Sequence, residues 1–238
     1  MIDWFKPIDA YCERLGPEFW AEPFNALSNI FMILAGVCGF YLISQIKKPQ
    51  IEPFSRRWIY LLSFAAILTG FGSFFFHTYA NFITLWGDIL PILFFMEIFL
   101  AFTLVQIFRW KWWSTSLALV VFFAIAVTLQ LLLPKNLLNG SVTYVHGVFV
   151  LVLVLHALNY RVRLNPDDRH SICLMKRYAI AFGLFLLSLF FRTFDHAWCA
   201  SFAMGTHFIW HILNGFLLFS LIEILIFDYK RDQRPGLV

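Results

Sequence analysis

The sequence predicts an all-α, polytopic membrane protein built as a bundle of seven transmembrane helices. Of its 238 residues, 61% are hydrophobic and only 13% are charged, which leaves too little polar side chain to cover a soluble globule of this size. Aromatic residues make up 20% of the chain, as suits lipid-facing helices with interfacial anchors. The net charge of +4 therefore bears on membrane orientation and does not indicate a nucleic-acid partner.

Seven apolar runs approach the length of about 20 residues that crosses a hydrocarbon layer roughly 30 Å thick. The sixth run is the shortest, and Met175 and its neighbours would have to extend it. Because the connectors are short, residues 1–238 are expected to form one domain, with residues 1–24 as an extracytoplasmic interfacial segment. The predicted spans cover residues 25–45, 58–77, 83–108, 114–133, 142–160, 178–191 and 202–227.

The distribution of Lys and Arg predicts the orientation of the bundle. If the connectors alternate sides, four of the 18 Lys and Arg residues lie on the side of the N-terminus and fourteen lie on the other side. Positive charge concentrates in cytoplasmic loops, so the N-terminus is expected outside and the C-terminus in the cytoplasm. An odd number of spans agrees with this split.

Ionisable side chains inside the spans are candidate functional residues, because each costs roughly 2.5–3.5 kcal/mol on insertion scales. His207 and His211 are four residues apart, so on a helix they share one face and can bind one metal ion. His77, at a matching depth, would complete a three-histidine set with an open fourth position, as in catalytic zinc sites. The candidates are His77, Asp88, Glu97, His146, His156, Arg192, Asp195, His196, His207, His211 and Glu223.

Two polar residues near His77 are candidates for acting on a water molecule. Asp88, about two turns into the third span, is the candidate base. Ser73 precedes His77 by four residues, so its hydroxyl is expected to face the same cavity and to orient the water or donate to an oxyanion. His146 and His156 lie near opposite ends of the fifth span and are expected to make polar interhelical contacts. The sequence thus predicts a metal site in the extracytoplasmic half of the bundle.

Several segments together resemble the alkaline ceramidases, within the wider group of seven-span membrane hydrolases that includes progestin and adipoQ receptors. S-F-F-F-H ends at His77, Asp88 is followed by Pro91, and H-F-I-W-H-I-L-N begins at His207. These and the remaining motifs sample both ends and the middle of the chain. The remaining motifs are C-E-R at 12–14, A-E-P-F-N-A-L-S-N at 21–29 and R-T-F-D-H-A-W-C at 192–199.

The resemblance implies a zinc ion held by His77, His207 and His211, with Ser73 and Asp88 serving the water. It also implies an enzyme that hydrolyses the amide of ceramide or a related N-acyl lipid to a fatty acid and an amine. The expected partner is therefore a membrane lipid, and the oligomeric state is left open.

The resemblance further implies a calcium ion near the N-terminus, held in the animal enzymes partly by acidic residues that match Glu13 and Glu22. Ala10 and Leu15 stand where those enzymes carry polar ligands. The missing ligands would have to come from Asp9, Glu18 or Asn25.

Cys12 and Cys199 are predicted to form a disulfide, because both are expected on the oxidising outer face. The similar cysteines of the family point to the same pairing. Cys38 and Cys173 are expected to stay reduced.

Two other classes of protein remain open at the level of the sequence. A seven-span lipid receptor or binding protein could keep a zinc site without turnover. A bis-histidine haem carrier is the other class, and the lack of facing histidine pairs on two helices at both leaflets argues against it.

Overall fold

A computed structural model describes residues 3–46, 54–134 and 137–232. Within these ranges the chain is helical and has no strand, and seven helical segments are long and apolar enough to cross a membrane. The predicted fold class is therefore confirmed, whereas the orientation of the termini stays a prediction. Four of the cations that enter the charge count, Lys47, Lys48, Lys135 and Arg234, lie outside the described residues.

Nine α-helices follow one another along the described chain, with a π-helical turn after the fourth and a 3-10 segment before the sixth. The π-helical turn is Thr103–Ile107 and the 3-10 segment is Leu137–Tyr144. The α-helices are α1 (Pro23–Ser28), α2 (Ile30–Ser44), α3 (Phe54–Tyr79), α4 (Phe82–Phe102), α5 (Trp112–Leu132), α6 (Val145–Leu164), α7 (Arg169–Thr193), α8 (Asp195–Trp198) and α9 (His207–Asp232).

The predicted bounds of the first four spans agree with the structure to within two residues at each end. The sixth span is longer than the predicted 178–191, because α7 begins at Arg169 with a polar, cationic first half. Asp168 caps this helix, since its carboxylate accepts hydrogen bonds from the backbone N–H groups of His170 and Ser171. A search for apolar runs therefore finds only the second half of α7.

The fifth and seventh spans also differ from the prediction. The fifth, predicted over 142–160, begins in the 3-10 segment and continues as α6 to Leu164. The seventh was predicted from 202, but the helix begins at His207. The residues just before it form a turn with Gly205 at a φ of 63°. Such a φ favours glycine, so the apolar residues at 202–204 belong to a loop.

Helix α9 lies at the centre of the bundle and packs against α2, α3 and α7. We call the end of the bundle where α3 ends and α4 and α9 begin the histidine end. The N-terminal segment covers this end, since the Ile8 N–H donates to the Ala80 carbonyl at 2.7 Å. A disulfide joins Cys12 to Cys199 and ties the segment to the connector between α7 and α9, as predicted.

Candidate metal centre

Three histidines converge at the histidine end of the bundle. His77 lies in the last turn of α3, His207 is the first residue of α9, and His211 follows one turn later. Each ring offers a nitrogen atom that could bind a metal ion, and these three atoms lie within 4.8 Å of one another. All three side chains are buried. The i, i+4 spacing on α9 and the packing of α3 against α9 thus produce the three-histidine cluster.

Two of the three rings are held by hydrogen bonds on the side away from the cluster. His77 Nδ1 lies 2.6 Å from Glu22 Oε2, and His211 Nδ1 lies 2.8 Å from Ser28 Oγ. Such partners fix the tautomer and orientation of a metal-binding imidazole and leave Nε2 available as the ligand atom. The His207 ring stacks on Tyr11, with ring centroids 3.6 Å apart. This donor set fits a zinc ion, because zinc accepts three imidazoles and an open fourth position.

Asp195 fixes the start of α9 and with it the position of His207. Its buried carboxylate accepts hydrogen bonds from the backbone N–H of Thr206 at 2.6 Å and of His207 at 3.0 Å. The other carboxylate oxygen accepts the N–H of Cys12 at 2.9 Å. A β-carbon at Gly205 would lie 2.2 Å from Asp195 Oδ1, so only glycine fits this turn. One carboxylate therefore caps the helix that carries two ligands and anchors the N-terminal segment.

Glu22 is part of a buried charged network behind His77. Its Oε1 accepts a hydrogen bond from Arg14 Nε at 2.5 Å, and its Oε2 accepts one from Asn25 Nδ2 at 3.0 Å. Arg14 also donates to the carbonyl of His77 at 3.0 Å. Burial alone would raise the pKa of Glu22, but the hydrogen bond and charge of His77, with the bonds from Asn25 and Arg14, hold that pKa below its usual value. The Glu22 carboxylate therefore ties the N-terminal segment to a candidate metal ligand.

The carboxylate oxygens of Glu13 bind backbone N–H groups at the start of α1. They accept hydrogen bonds from the N–H groups of Phe24 at 2.7 Å and Asn25 at 2.8 Å. Burial raises the pKa of Glu13, and these two hydrogen bonds offset part of that effect. All four carboxylate oxygens of Glu13 and Glu22 therefore have protein donors. The Arg14 cation pairs with Glu22, and neither Ala10 nor Leu15 has a side-chain oxygen, so this site does not supply the six to eight oxygen ligands that calcium requires.

The backbones of α3 and α4 touch beside the two residues predicted to act on water. A β-carbon at Gly72 would lie only 2.0 Å from the carbonyl oxygen of Gly87. Ser73 directly follows Gly72 on α3, and Asp88 directly follows Gly87 on α4. This contact between the backbones therefore sets the separation of Ser73 and Asp88. The Ser73 side chain interacts with the Asp88 carboxyl group, while Asp88 Oδ1 is buried and has no hydrogen-bond partner. Both residues line a cavity with two of the histidines, His207 and His211.

Two cavities meet at this position. The inner cavity, about 100 Å³, runs between the helices and is lined mainly by apolar side chains. The outer cavity, about 480 Å³, lies under the N-terminal segment and has a more polar lining. Asp88, Tyr144 and Arg192 border both cavities. A long apolar molecule with a polar end could therefore place its middle beside the histidines.

The sequence identified the three histidines, Asp88 and Ser73, and the structure brings these five residues together. It missed the contacts of Glu22, Ser28 and Asp195, because each joins residues far apart in the chain. A carboxylate directly after the predicted disulfide cysteine Cys12 was a weak signal for Glu13 only. The glycines at 72 and 87, each directly before a candidate residue, were the local signal that could have been used.

The fold and the cluster together define a multi-pass membrane protein with a buried three-histidine site. A family model described as Ceramidase matches residues 10–235, and the chain belongs to this family, as the resemblance to the alkaline ceramidases implied. Membership supports a ceramide-hydrolysing function in general and implies an amidohydrolase whose substrate is a lipid. The family is generally metal-dependent, in agreement with the histidine cluster. No curated protein matches the sequence.

Proposed function

We propose that the protein is an intramembrane, zinc-dependent amidohydrolase that cleaves ceramide or a related N-acyl lipid to a fatty acid and an amine. The observation that carries the proposal is the convergence of His77, His207 and His211 beside Asp88 and Ser73, at the junction of an apolar cavity and one with a more polar lining. The apolar lining of the inner cavity suits the acyl chain of such a lipid. The amide group would then lie next to the histidines.

The three histidines would hold the zinc ion, with Glu22 and Ser28 fixing two of the rings. A zinc ion in such a site acts as a Lewis acid and lowers the pKa of water from 15.7 to about 7. Asp88 is the base that accepts a proton at its unpartnered Oδ1 and can return it to the leaving amine, which departs poorly unless protonated. The Ser73 hydroxyl donates a hydrogen bond to the oxyanion that forms at the amide carbonyl.

A lipid panel incubated with pure protein and followed by mass spectrometry tests this function. Release of fatty acid and amine from ceramide or an N-acyl lipid is expected from the wild type. The Asp88→Asn protein should keep most of its zinc yet lose turnover, because the base is gone and the ligands remain. The turnover of Ser73→Ala should lie between those of the wild type and Asp88→Asn. One oxyanion donor contributes about 2.7–4 kcal/mol where it has been measured.

Asp167→Asn is a matched control, because Asp167 is exposed in the loop before α7. This variant should retain wild-type turnover. Wild-type turnover in the Asp88→Asn protein, or folded wild type without zinc, would overturn the mechanism. Lipid binding without any product release would instead indicate the receptor or binding protein that the sequence left open.

The location of the site is part of the proposal. The excess of Lys and Arg on one side supports an extracytoplasmic N-terminus, so the histidine end would lie in the extracytoplasmic half of the membrane. A C-terminal fluorescent protein should then fold and fluoresce, while an export-dependent phosphatase at the same point should be inactive. The opposite pair of results would reverse the orientation.

A further inference from the structure

Arg192 is a cation near the end of α7, inside a membrane-spanning segment. It makes one side-chain hydrogen bond within the described chain, from Nη1 to the hydroxyl of Tyr11 at 2.8 Å. Its guanidinium lies 5.3–5.5 Å from the ring centroids of Tyr11, Tyr144 and Trp210. The Nε atom is buried and has no hydrogen-bond partner. Three neutral aromatic rings thus surround a cation whose hydrogen-bonding capacity is mostly unused.

Other arginines of the bundle show the contrast. Arg14 pairs with Glu22, and Arg177 pairs with Glu223. Among the described residues, no carboxylate forms an ion pair with Arg192, although the Asp88 carboxyl group is near enough to influence it. A guanidinium has five donors in a planar fork, and a partly buried charge inside a membrane span is costly to leave unpaired. Aromatic rings compensate the charge of a cation only in part, so Arg192 can still bind an anion.

The position of Arg192 indicates where that anion would sit. Arg192 borders both the inner and the outer cavity, beside the candidate base Asp88. Its neighbours in the outer cavity include the polar side chains of Asn139 and His196. A lipid with its acyl chain in the apolar inner cavity would place the substituent on its amide nitrogen toward the outer cavity. The guanidinium is therefore close to the atoms that follow the scissile bond.

We propose that Arg192 forms a carboxylate-binding site at the junction of the two cavities, and that it selects N-acyl lipids whose amine portion carries a carboxylate, such as N-acyl amino acids. This inference rests on the proposed amide hydrolysis. The guanidinium fork matches a carboxylate with two parallel hydrogen bonds, a geometry that an ammonium group does not offer. A second source of the same chemistry is the carboxylate of the released fatty acid.

Binding of a matched pair of non-hydrolysable lipids to the full-length protein tests the site without requiring turnover. The pair consists of ketone isosteres of N-oleoylglycine and N-oleoylethanolamine, in which CH2 replaces the amide NH. The first isostere, the keto acid, ends in a carboxylate, and the second, the keto alcohol, ends in a hydroxyl. The wild type should bind the keto acid about tenfold or more tightly than the keto alcohol, because hydrogen bonds to charged groups are the strong ones.

Variants assign any preference to Arg192. Arg192→Gln should abolish the preference, and Arg192→Lys, which keeps the charge but loses the fork, should keep only part of it. Arg161→Gln is the matched control, since Arg161 is also in a span and lies over an aromatic ring, that of Phe108, but borders neither cavity. This control should leave the preference unchanged.

Oleate binding separates the two sources of the carboxylate. If Arg192→Gln weakens oleate binding but not keto acid binding, Arg192 holds the carboxylate of the product, and the proposed selection of carboxylate-bearing amines is overturned. Equal binding of keto acid and keto alcohol by the wild type, or a preference that survives in Arg192→Gln, would overturn the inference. Hydrolysis of the true amides is measured separately, so failure of the proposed function shows as absent turnover and not as absent preference.

Discussion

Helices α9 and α5 are both membrane-spanning, yet they differ sharply in how much of each is enclosed. In the most apolar stretch of each helix, 61% of the residues are buried in α9, whereas only 17% are buried in α5. Helix α9 carries two of the three candidate ligands, and α5 carries no residue of the metal cluster. Two of the three candidate ligands are therefore placed on the helix whose position is fixed by neighbours on several sides.

This difference shows how the bundle can hold a precise site within lipid. Lipid tails are as apolar as the side chains of α5, so hydrophobicity alone cannot fix the position of that helix. The first turns of α9 are fixed by polar contacts, namely the Asp195 cap and the Ser28 bond to His211. Four expected losses, ordered from the strongest effect to the weakest, and one expected null result with calcium test how the bundle fixes the site.

The largest effect is expected from replacing a candidate ligand. His77→Ala, His207→Ala or His211→Ala should each lose bound zinc and activity together, because two imidazoles no longer complete the site. Elemental analysis of folded protein, with lipid turnover measured on the same sample, checks both losses. His156→Ala is the control, since this histidine is exposed on α6, and it should retain zinc. Full zinc content in one of these variants would show that the replaced histidine is not a ligand.

The next effect is expected at the network behind His77. Glu22→Gln should lower zinc affinity or activity by about 10–100-fold, the usual cost of removing a partner that orients a ligand. Glu18→Gln changes an exposed carboxylate of the same segment and should have no such effect. Zinc titration of both variants measures the difference.

The same network predicts a negative result with calcium. Adding Ca2+ to protein purified without it should leave the thermal midpoint unchanged, because the Arg14 cation already pairs with Glu22, and Ala10 and Leu15 offer no side-chain oxygen. A clear rise in the midpoint would restore the calcium site that the family resemblance implied.

A third effect compares the two helices directly. Ile222 on α9 is 0% exposed, whereas Leu131 on α5 is 77% exposed. Ile222→Ala should destabilise the protein by about 2–5 kcal/mol through lost contacts and a cavity. Leu131→Ala should change stability by less than about 0.5 kcal/mol. Thermal unfolding in one detergent checks the pair, and similar losses in both would contradict the packing described here.

The smallest effect is expected from opening the disulfide. Replacing Cys12 and Cys199 with Ser should lower stability by no more than the roughly 2–4 kcal/mol typical of such bonds. The Asp195 bond to the Cys12 backbone remains in place and limits the loss. Replacing Cys38 and Cys173, which are free and exposed, should change nothing. Peptide mapping under non-reducing conditions verifies the pairing, and free thiols at both positions in oxidised protein would contradict it.

The sequence predicted the bundle and the histidine cluster because both follow from local spacing. A run of apolar residues indicates a membrane span, and two histidines four residues apart lie on one face of a helix. The start of α7 was missed because its first half is polar, and the start of α9 was missed because apolar loop residues precede it. Contacts such as Glu22 with His77, 55 residues apart, arise only when the bundle closes and leave no pattern in the sequence.

The contact between Gly72 and Gly87 also limits how this chain can change over evolutionary time. Even alanine at Gly72 would force α4 away and carry Asp88 with it, so a single substitution there alters the site without touching any catalytic group. A β-carbon at Gly87 meets nothing within 4 Å, so this second position is free to vary. We therefore expect saturation mutagenesis to find residue 72 intolerant and residue 87 permissive, although both are glycines on facing helices.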